Sequence, residues 1–251
     1  MLASNGPSTN ILFHAVSEHF TINEVIIEDE ISAKRFIKQR YSKVGLFRII
    51  DQMLFIITIN KLLNVVAKKR RANILIENQL NENEIPANKI KRVSSTNAAE
   101  TIQYIKTCEP DILLVNGTRI LSKKLLASTS AVIVNIHAGI TPDYRGVHGA
   151  YWAYVNGDPA MAGVTLHYVD SGVDTGNIIG QSIITKHRED NFATYPLLQL
   201  AEGVRLLIQF LQDLSIERIS QTVIISKGVS KQWYHPGFFE YLYYRFLHGI
   251  K

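Results

Sequence analysis

One amide, one imidazole and one carboxylate in the middle of the chain have the types and spacing to act on a single carbonyl group. Asn135 and His137 stand two residues apart, and Asp174 follows 39 residues after Asn135. An amide N–H and a protonated imidazole are both donors, and each positioned donor can stabilise an oxyanion by about 3 kcal/mol. A nearby carboxylate can orient the imidazole and accept a proton, directly or through a water. We therefore take these three residues as candidate catalytic groups for acyl transfer.

The segment before Asn135 indicates how the first two groups are held. Residues 131–134 form an apolar, β-branched run that is typical of a strand buried on both faces. We expect Asn135 and His137 just beyond the carboxyl end of this strand, at the edge where open α/β sheets bind ligands. Taken singly, each residue is better explained in another way: Asn135 as a turn cap, His137 as a satisfied loop histidine and Asp174 as part of a glycine-rich turn. Their combination with Pro142 and the neighbouring glycines favours catalysis.

The periodicity of the chain predicts an α/β fold with a Rossmann-like, mostly parallel sheet flanked by helices. Strands are expected near four apolar runs, at Val25, Ile90, Ile112 and Val132. Two later strands, over residues 164–169 and 178–184, would bracket Asp174 and return it to the edge that carries His137. A last helix is expected over residues 192–214.

Composition favours one core with small additions. The chain has 251 residues, of which 46% are hydrophobic. We divide it into a catalytic domain over residues 1–185, with a basic helical insertion at about 31–72, and a C-terminal helix and aromatic-rich extension over residues 186–251. The first strand, over residues 1–4, is short enough to suggest a truncated start.

The central segment resembles the catalytic core of the folate-dependent formyltransferases, the group that includes the glycinamide ribonucleotide, methionyl-tRNA and nucleotide-sugar enzymes. Their signature is Asn-x-His, a Leu-Pro type of turn and a later Asp-containing loop, matched here by Asn135, His137 and Asp174. The similarity covers about residues 88–185 and includes the segments 111–121, 144–146, 152–158 and 163–170. One departure is Gly139-Ile-Thr-Pro142 where relatives commonly have Ser-Leu-Leu-Pro. The contact made by that serine hydroxyl is therefore missing.

The resemblance implies 10-formyltetrahydrofolate as co-substrate and a direct transfer of its formyl group to a primary amine. By the same resemblance, the residues expected to bind the folate are Arg119, Ile120, Leu121, Asp170, Gly172 and Val173. The catalytic residues remain Asn135, His137 and Asp174. No metal is expected, because the eight histidines and the single cysteine show no ligand spacing.

The resemblance favours a nucleotide-linked amino sugar as acceptor. The tRNA branch normally adds a nucleic-acid-binding barrel, for which the 65 residues after Lys186 look too few and too helical, so nucleic acid is disfavoured. The purine branch lacks an aromatic tail and a basic insertion of this kind. Glycinamide ribonucleotide or methionyl-tRNA remain alternatives. A catalytically silent folate-binding or partner-binding module and a formyl hydrolase remain alternatives of other classes.

Positive charge is concentrated in residues 31–71, which hold eleven basic residues against the single acid Asp51. Apolar residues between these charges recur at helical spacing and predict one long or two shorter amphipathic helices. We expect Arg48, Asp51 and Lys61 to interrupt the segment too closely for a membrane-spanning helix. A membrane-surface face, an RNA contact, a lid or homodimer helix, and an ordinary surface helix pair all fit this pattern.

Three smaller features also carry expectations. The aromatic C-terminal residues 233–246 could stack bases, sit at a lipid interface or pack back on the domain. Ser8 and Asn10 could lie near a bound phosphate or cap a helix that begins near Ile11.

Cys108, the only cysteine, is expected to be buried at the end of a helix opened by a capping box of Asn97 and Glu100. A lone cysteine and no visible signal sequence favour a cytoplasmic protein, with attachment to the inner face of the membrane as an alternative.

Overall fold

A seven-stranded sheet forms the centre of the protein. The computed structural model describes residues 1–30, 45–217 and 224–251. In these residues the strands are β1 (Leu2–Ala3), β2 (Val25–Glu28), β3 (Ile90–Val93), β4 (Ile112–Asn116), β5 (Val132–His137), β6 (Arg145–Gly146), β7 (Gly163–Tyr168), β8 (Ile178–Ile183) and β9 (Gln232–Trp233). The main sheet has the order β3-β2-β1-β4-β5-β7-β8, and β6 pairs with β9 separately. Strands β1 to β5 are parallel, whereas β7 and β8 are antiparallel. The expected mostly parallel α/β sheet is confirmed.

Helices cover both faces of this sheet. They are α1 (Pro7–Ser17), α2 (Leu46–Phe55), α3 (Lys61–Val66), α4 (Lys68–Glu77), α5 (Ala99–Cys108), α6 (Lys123–Leu126), α7 (Gly149–Val155), α8 (Tyr195–Ser215) and α9 (Phe238–Leu247). Leu113 and Val115 of β4 pack in one core cluster, whereas Leu114 between them packs in the cluster on the other face. Alternate residues of a strand point to opposite faces, so a doubly covered strand must be apolar throughout.

The structure corrects several local expectations about helices. Helix α1 begins at Pro7 and not near Ile11, because the fixed φ of proline suits the first helical position. Helix α5 begins at Ala99 without a side-chain cap, and the Asn97 amide instead bonds the backbone of Ile120 and Ser122. Cys108 is exposed, not buried.

The expected last helix over residues 192–214 is α8, which starts at Tyr195, and a further helix, α9, follows it.

A single apolar helix runs from Leu46 to Val66, with a π-helical turn (Ile56–Asn60) joining α2 to α3. By length and composition alone, its 21 residues and mean hydropathy of 1.6 suffice to cross a membrane. By this measure alone, and contrary to the expectation, Arg48, Asp51 and Lys61 do not exclude a crossing. The basic residues of the insertion that precede this helix lie outside the described residues. They are Lys34, Arg35, Lys38, Arg40 and Lys43.

One stripe of the long helix is anchored to the domain. Phe55 is fully buried, with its ring 5.0 Å from that of Phe192 and 5.2 Å from that of Tyr241 in α9. The Gln52 side-chain amide donates to the backbone carbonyl of His235 at 2.6 Å. The helix is thus joined to α9 and to the segment before α8, although most of its length faces outward.

Two phenylalanines of α2 give a matched test of this anchoring. We expect Phe55→Ala to lower the free energy of unfolding by about 3–5 kcal/mol, because it leaves a cavity beside the rings of Phe192 and Tyr241. Phe47→Ala, at a side chain that is 90% exposed, should change it by less than about 0.5 kcal/mol. Chemical denaturation measures both, and equal losses would contradict the described packing.

Candidate active site

All nine site residues predicted from the sequence line one cavity of about 420 Å³ at the carboxyl ends of β4 and β5. The loop after β4 contributes Arg119, Ile120 and Leu121 to one wall. The loop between β7 and β8 contributes Asp170, Gly172, Val173 and Asp174 to the opposite wall, and β5 supplies Asn135 and His137. The structure therefore brings together groups that lie 55 residues apart along the chain, from Arg119 to Asp174.

Asn135 and His137 lie within β5, not beyond its end as the sequence suggested. Antiparallel pairing with β7 extends the strand and aligns Asn135 with His167 and His137 with Thr165. Asn135 also aligns with Val115 of β4, so β5 is paired with a neighbouring strand on each side at this position. This strand holds both side chains. A strand positions a reacting group more rigidly than a loop does.

Both ring nitrogens of His137 have partners, and the ring is only 6% exposed. Its Nε2–H donates to the backbone carbonyl of Tyr144 at 2.9 Å, since a carbonyl can only accept. Its Nδ1 lies 3.3 Å from Oδ2 of Asp174 and faces the cavity. In the protonated imidazole, Nδ1 also carries a hydrogen, which can be shared between Asp174 and an oxyanion in the cavity.

The carboxylate of Asp174 is held by its own loop and by β6. Asp174 has a φ of 51°, in the left-handed region that aspartate tolerates better than most residues. The backbone N–H of Gly146 donates to its Oδ2 at 3.2 Å, and Arg145 donates to the carbonyl of Val173 at 3.0 Å. The Asp170 carboxylate accepts from the N–H of Gly172 and the hydroxyl of Thr175. The Asp170 side chain therefore shapes the loop that presents Asp174.

Sequence reasoning missed His167, which is 3% exposed beside Asn135. Its Nδ1–H donates to the carbonyl of Tyr168 at 2.8 Å, and its Nε2 lies 3.1 Å from the amide nitrogen of Asn135. Burial lowers the pKa of His167 below its usual value, so the ring is neutral near pH 7. Neutral Nε2 then accepts one Asn135 N–H, which fixes the amide and leaves its second N–H to donate. Only the strand register reveals this residue, because 32 positions separate it from Asn135.

A glycine turn after β5 lets Tyr144 reach His137. A side chain on Gly139 would place its Cβ 2.1 Å from the Tyr144 carbonyl oxygen and 2.8 Å from Nε2 of His137. The Thr165 hydroxyl donates to the Gly139 carbonyl at 2.8 Å and accepts from the N–H of Thr141 at 3.0 Å. In this conformation the serine common among relatives cannot occupy position 139. The departure from the Ser-Leu-Leu-Pro pattern thus has a steric reason here.

Glu28, at the end of β2, supports the wall formed by the loop after β4. It is 5% exposed, and its oxygens accept from the backbone N–H groups of Thr96 and Arg119. The Arg119 guanidinium lies 3.4 Å from the same carboxylate and donates to the carbonyls of Ser94 and Asp29. The role of Glu28 was not predicted from the sequence. The signal that could have indicated it is an acidic residue at the end of the apolar run Val-Ile-Ile-Glu.

The C-terminal segment forms part of the support for the site. Strand β9 pairs in parallel with β6, so Gly146, which bonds Asp174, lies opposite Trp233. The Trp233 indole N–H donates to the backbone carbonyl of Asp143 at 3.0 Å. The Asp143 carboxylate accepts from Ser226 and from the backbone of Lys227. These contacts join residues 226–233 to the loop that holds Asp174.

The cavity is large enough for a small molecule, and its lining includes groups that can bind a carbonyl group. Its volume falls within the range of small-molecule sites, and two loops supply backbone walls around the amide, imidazole and carboxylate. These features fit the pterin and formyl groups of 10-formyltetrahydrofolate. In the described part of the chain, the histidine, cysteine and acidic residues form no cluster that could hold a metal ion.

The fold and the cavity define an α/β protein that holds an amide, an imidazole and a carboxylate at one site. Residues 35–206, more than two thirds of the chain, match the protein family described as formyl transferase. The chain therefore belongs to the formyl transferase family.

Curated relatives in sequence include methionyl-tRNA formyltransferases. Methionyl-tRNA formyltransferase of Halothermothrix orenii is 34% identical over 127 residues, which are 50% of this chain and 40% of that protein. The chain covers less than half of the length of the curated relatives that it matches.

Two solved structures have the same fold at low sequence identity. Phosphoribosylglycinamide formyltransferase of Anaplasma phagocytophilum matches with a TM-score of 0.56 and 20% identity, over 92% of this chain and 95% of that chain. A sugar N-formyltransferase of Shewanella sp. matches with a TM-score of 0.53 and 15% identity, over 92% of this chain and 74% of that chain.

The turn at Gly139 can be tested by adding one methyl group. We expect Gly139→Ala to lower the free energy of unfolding by about 1–3 kcal/mol, because Cβ must displace the Tyr144 backbone or the His137 ring. Gly180→Ala is the control, since its Cβ would meet only the flexible end of Leu206, at 3.3 Å. Equal unfolding energies for the two variants would contradict the close approach at Gly139.

Burial of neutral His167 predicts a pH dependence of stability. The unfolded chain binds a proton at the usual pKa of about 6.5, whereas the folded protein binds it only at lower pH. The free energy of unfolding should therefore fall as the pH drops below about 6.5, until the folded pKa is passed. We expect the stability difference between the wild type and His167→Gln to be constant above this pH and to narrow below it. A parallel decline of both proteins would refute the assignment.

Proposed function

We propose that the protein transfers the formyl group of 10-formyltetrahydrofolate to the primary amine of a nucleotide-linked amino sugar. The observation that carries the reaction is the arrangement of Asn135, His137 and Asp174 around one cavity, with His137 and Asp174 3.3 Å apart. The folate supplies an activated formyl group, and the loops that contain Arg119 and Asp170 form the walls that would hold it. Membership of the formyl transferase family supports the same reaction.

Asn135 and His137 act as donors to the formyl oxygen in this proposal. Attack of the neutral amine on the formyl carbon places negative charge on that oxygen, and the remaining Asn135 N–H and the Nδ1–H of His137 stabilise it. Because His167 and Tyr144 hold these two side chains before reaction, little reorganisation is needed when the charge develops.

Asp174 has two roles in this proposal, to orient His137 and to accept a proton. Its carboxylate orients the His137 ring through Nδ1 and accepts the proton that the amine loses on forming the amide, directly or through a water. The bond between the formyl carbon and N10 of the folate then breaks, and N10 takes up a proton. The products are the formamide and tetrahydrofolate, so no oxidant or reductant is required.

A second cavity supports a nucleotide-linked acceptor. It measures about 360 Å³ and is lined by residues that include Arg48, Asn156, Lys231 and Trp233. The Lys231 ammonium lies 3.6 Å from the centre of the Trp233 ring. A cation that lines such a cavity can pair with a phosphate group of a nucleotide. Strands β6 and β9 connect this cavity with the catalytic one, since Gly146 lines one and Trp233, opposite it, lines the other.

Methionyl-tRNA is the second candidate acceptor, and the observation that favours it is the name carried by the curated relatives in sequence. Glycinamide ribonucleotide is a third candidate, favoured by the structural likeness to the phosphoribosylglycinamide formyltransferase of Anaplasma.

An acceptor panel tests the proposal. Release of tetrahydrofolate is followed by absorbance with nucleotide-linked 3-amino and 4-amino sugars, glycinamide ribonucleotide and methionyl-tRNA, each offered separately. We expect turnover with one amino sugar. Turnover with methionyl-tRNA alone would show that the acceptor is methionyl-tRNA and not an amino sugar. Consumption of the donor without any acceptor would indicate a formyl hydrolase, and folate binding without turnover would indicate a silent module.

Two substitutions test the catalytic roles, one that keeps the shape of the side chain and one that shortens it. Asp174→Asn should fold and lose about 100-fold or more in kcat, because the amide cannot take the proton. Asn135→Ala should lower kcat by a similar factor with little change in donor affinity. Asp111→Asn is the control, because Asp111 is exposed just before β4, at the opposite edge of the sheet. A near-normal rate for Asp174→Asn would sink the proposed role.

A further inference from the structure

We propose that the long helix and α9 form a docking face that lies in the plane of an anionic lipid bilayer. The docking face consists of the exposed apolar side chains of these two elements, among them Phe47, Ile50, Met53 and Ile57 on the long helix and Phe239 and Phe246 on α9. This inference is independent of the proposed reaction.

Exposed apolar surface is concentrated on these two elements. Within the described residues, twelve of the twenty exposed large hydrophobic side chains belong to the long helix or to α9. Phe47 is 90% exposed and Phe246 is 77% exposed. Large contiguous apolar patches on a protein surface mark sites of protein or membrane contact.

The two elements present one continuous surface because they are tied to each other. Arg48 of the long helix forms an ion pair with Glu240 of α9 at 2.5 Å. The Asp51 carboxylate accepts from the backbone N–H of Phe239 at 3.3 Å, at the start of α9. Phe47 lies one turn before Asp51, so its exposed ring and that of Phe239 lie on neighbouring parts of the face.

The anchored stripe of the long helix favours an in-plane position over a membrane crossing. Phe55 is fully buried against Phe192 and Tyr241, and Gln52 bonds the His235 carbonyl. Crossing a bilayer would pull these groups out of the domain and place the Arg48–Glu240 pair in hydrocarbon. An amphipathic helix that keeps one face on the protein can bury its other face at the level of the headgroups.

Charge identifies the occupant as an anionic lipid surface. Lys61 follows Ile57 by four residues and is exposed on the same side of the helix, and Lys68 and Lys69 are exposed just after it. Residues 31–71 as a whole carry eleven basic residues and one acid. A second copy of this chain would bring equal positive charges together, whereas phosphate headgroups complement them.

Vesicle binding of the whole chain tests the docking face. We expect co-sedimentation with vesicles of about 30% phosphatidylglycerol in phosphatidylcholine, at least about tenfold weaker binding to pure phosphatidylcholine, and loss of binding in high salt. Phe47→Glu and Phe246→Glu should each weaken partitioning at least about tenfold. Ile216→Glu is the matched control, because Ile216 is 64% exposed but lies after α8, outside the docking face, and should bind as the wild type does.

Three outcomes would overturn the inference. Equal vesicle binding by Phe47→Glu and the wild type would show that the docking face does not contact the lipid. A dimer seen by light scattering that Phe47→Glu dissociates, without vesicle binding by the wild type, would assign the face to a second copy. Resistance of the bound protein to alkaline carbonate extraction would indicate a membrane crossing in place of in-plane docking. Unchanged thermal unfolding of each variant shows that loss of binding is not loss of fold.

Discussion

The site depends on the placement of one imidazole between a backbone carbonyl and a carboxylate. His137 donates to Tyr144 through Nε2 and meets Asp174 through Nδ1, so its ring has one orientation, with Nδ1 facing the cavity. The contact with Tyr144 requires the turn after β5 to return the chain closely, and the glycine at position 139 leaves room for this approach. The absence of a side chain there is thus as important for the proposed chemistry as the presence of the imidazole.

Distant segments hold the partners of His137 in place. Glu28 supports one wall through the backbone of Arg119, and β9 supports the other through β6 and Gly146. His167 fixes the Asn135 amide as a neutral acceptor, a state that burial favours by lowering its pKa. Buried polar groups are costly unless they are paired, so such a network fixes one geometry when every member has a partner.

The long helix follows a different physical rule. Its inner stripe belongs to the core, as the burial of Phe55 shows, whereas its outer side exposes large apolar groups. If that side faced only water, it would be expected to carry polar groups, as surface helices usually do. Stability of the domain and the proposed lipid contact are therefore carried by opposite faces of one element. The catalytic cavity lies on neither face of this helix, so turnover and membrane contact can be measured separately.

The sequence by itself determined the α/β fold and nominated nine of the eighteen residues that line the catalytic cavity. For Asn135, His137 and Asp174 it could do so because side chains at the carboxyl edge of buried apolar strands face a common cleft. The six folate-binding candidates came from the resemblance to the formyltransferases. Tertiary structure alone decided the pairing of Asn135 with His167, since register between antiparallel strands is a long-range property. It also decided the support from Glu28 and from β9, and the exposure of Cys108, which helical periodicity did not reveal. Local patterns report which residues prefer burial, but which distant groups meet depends on how the whole chain packs.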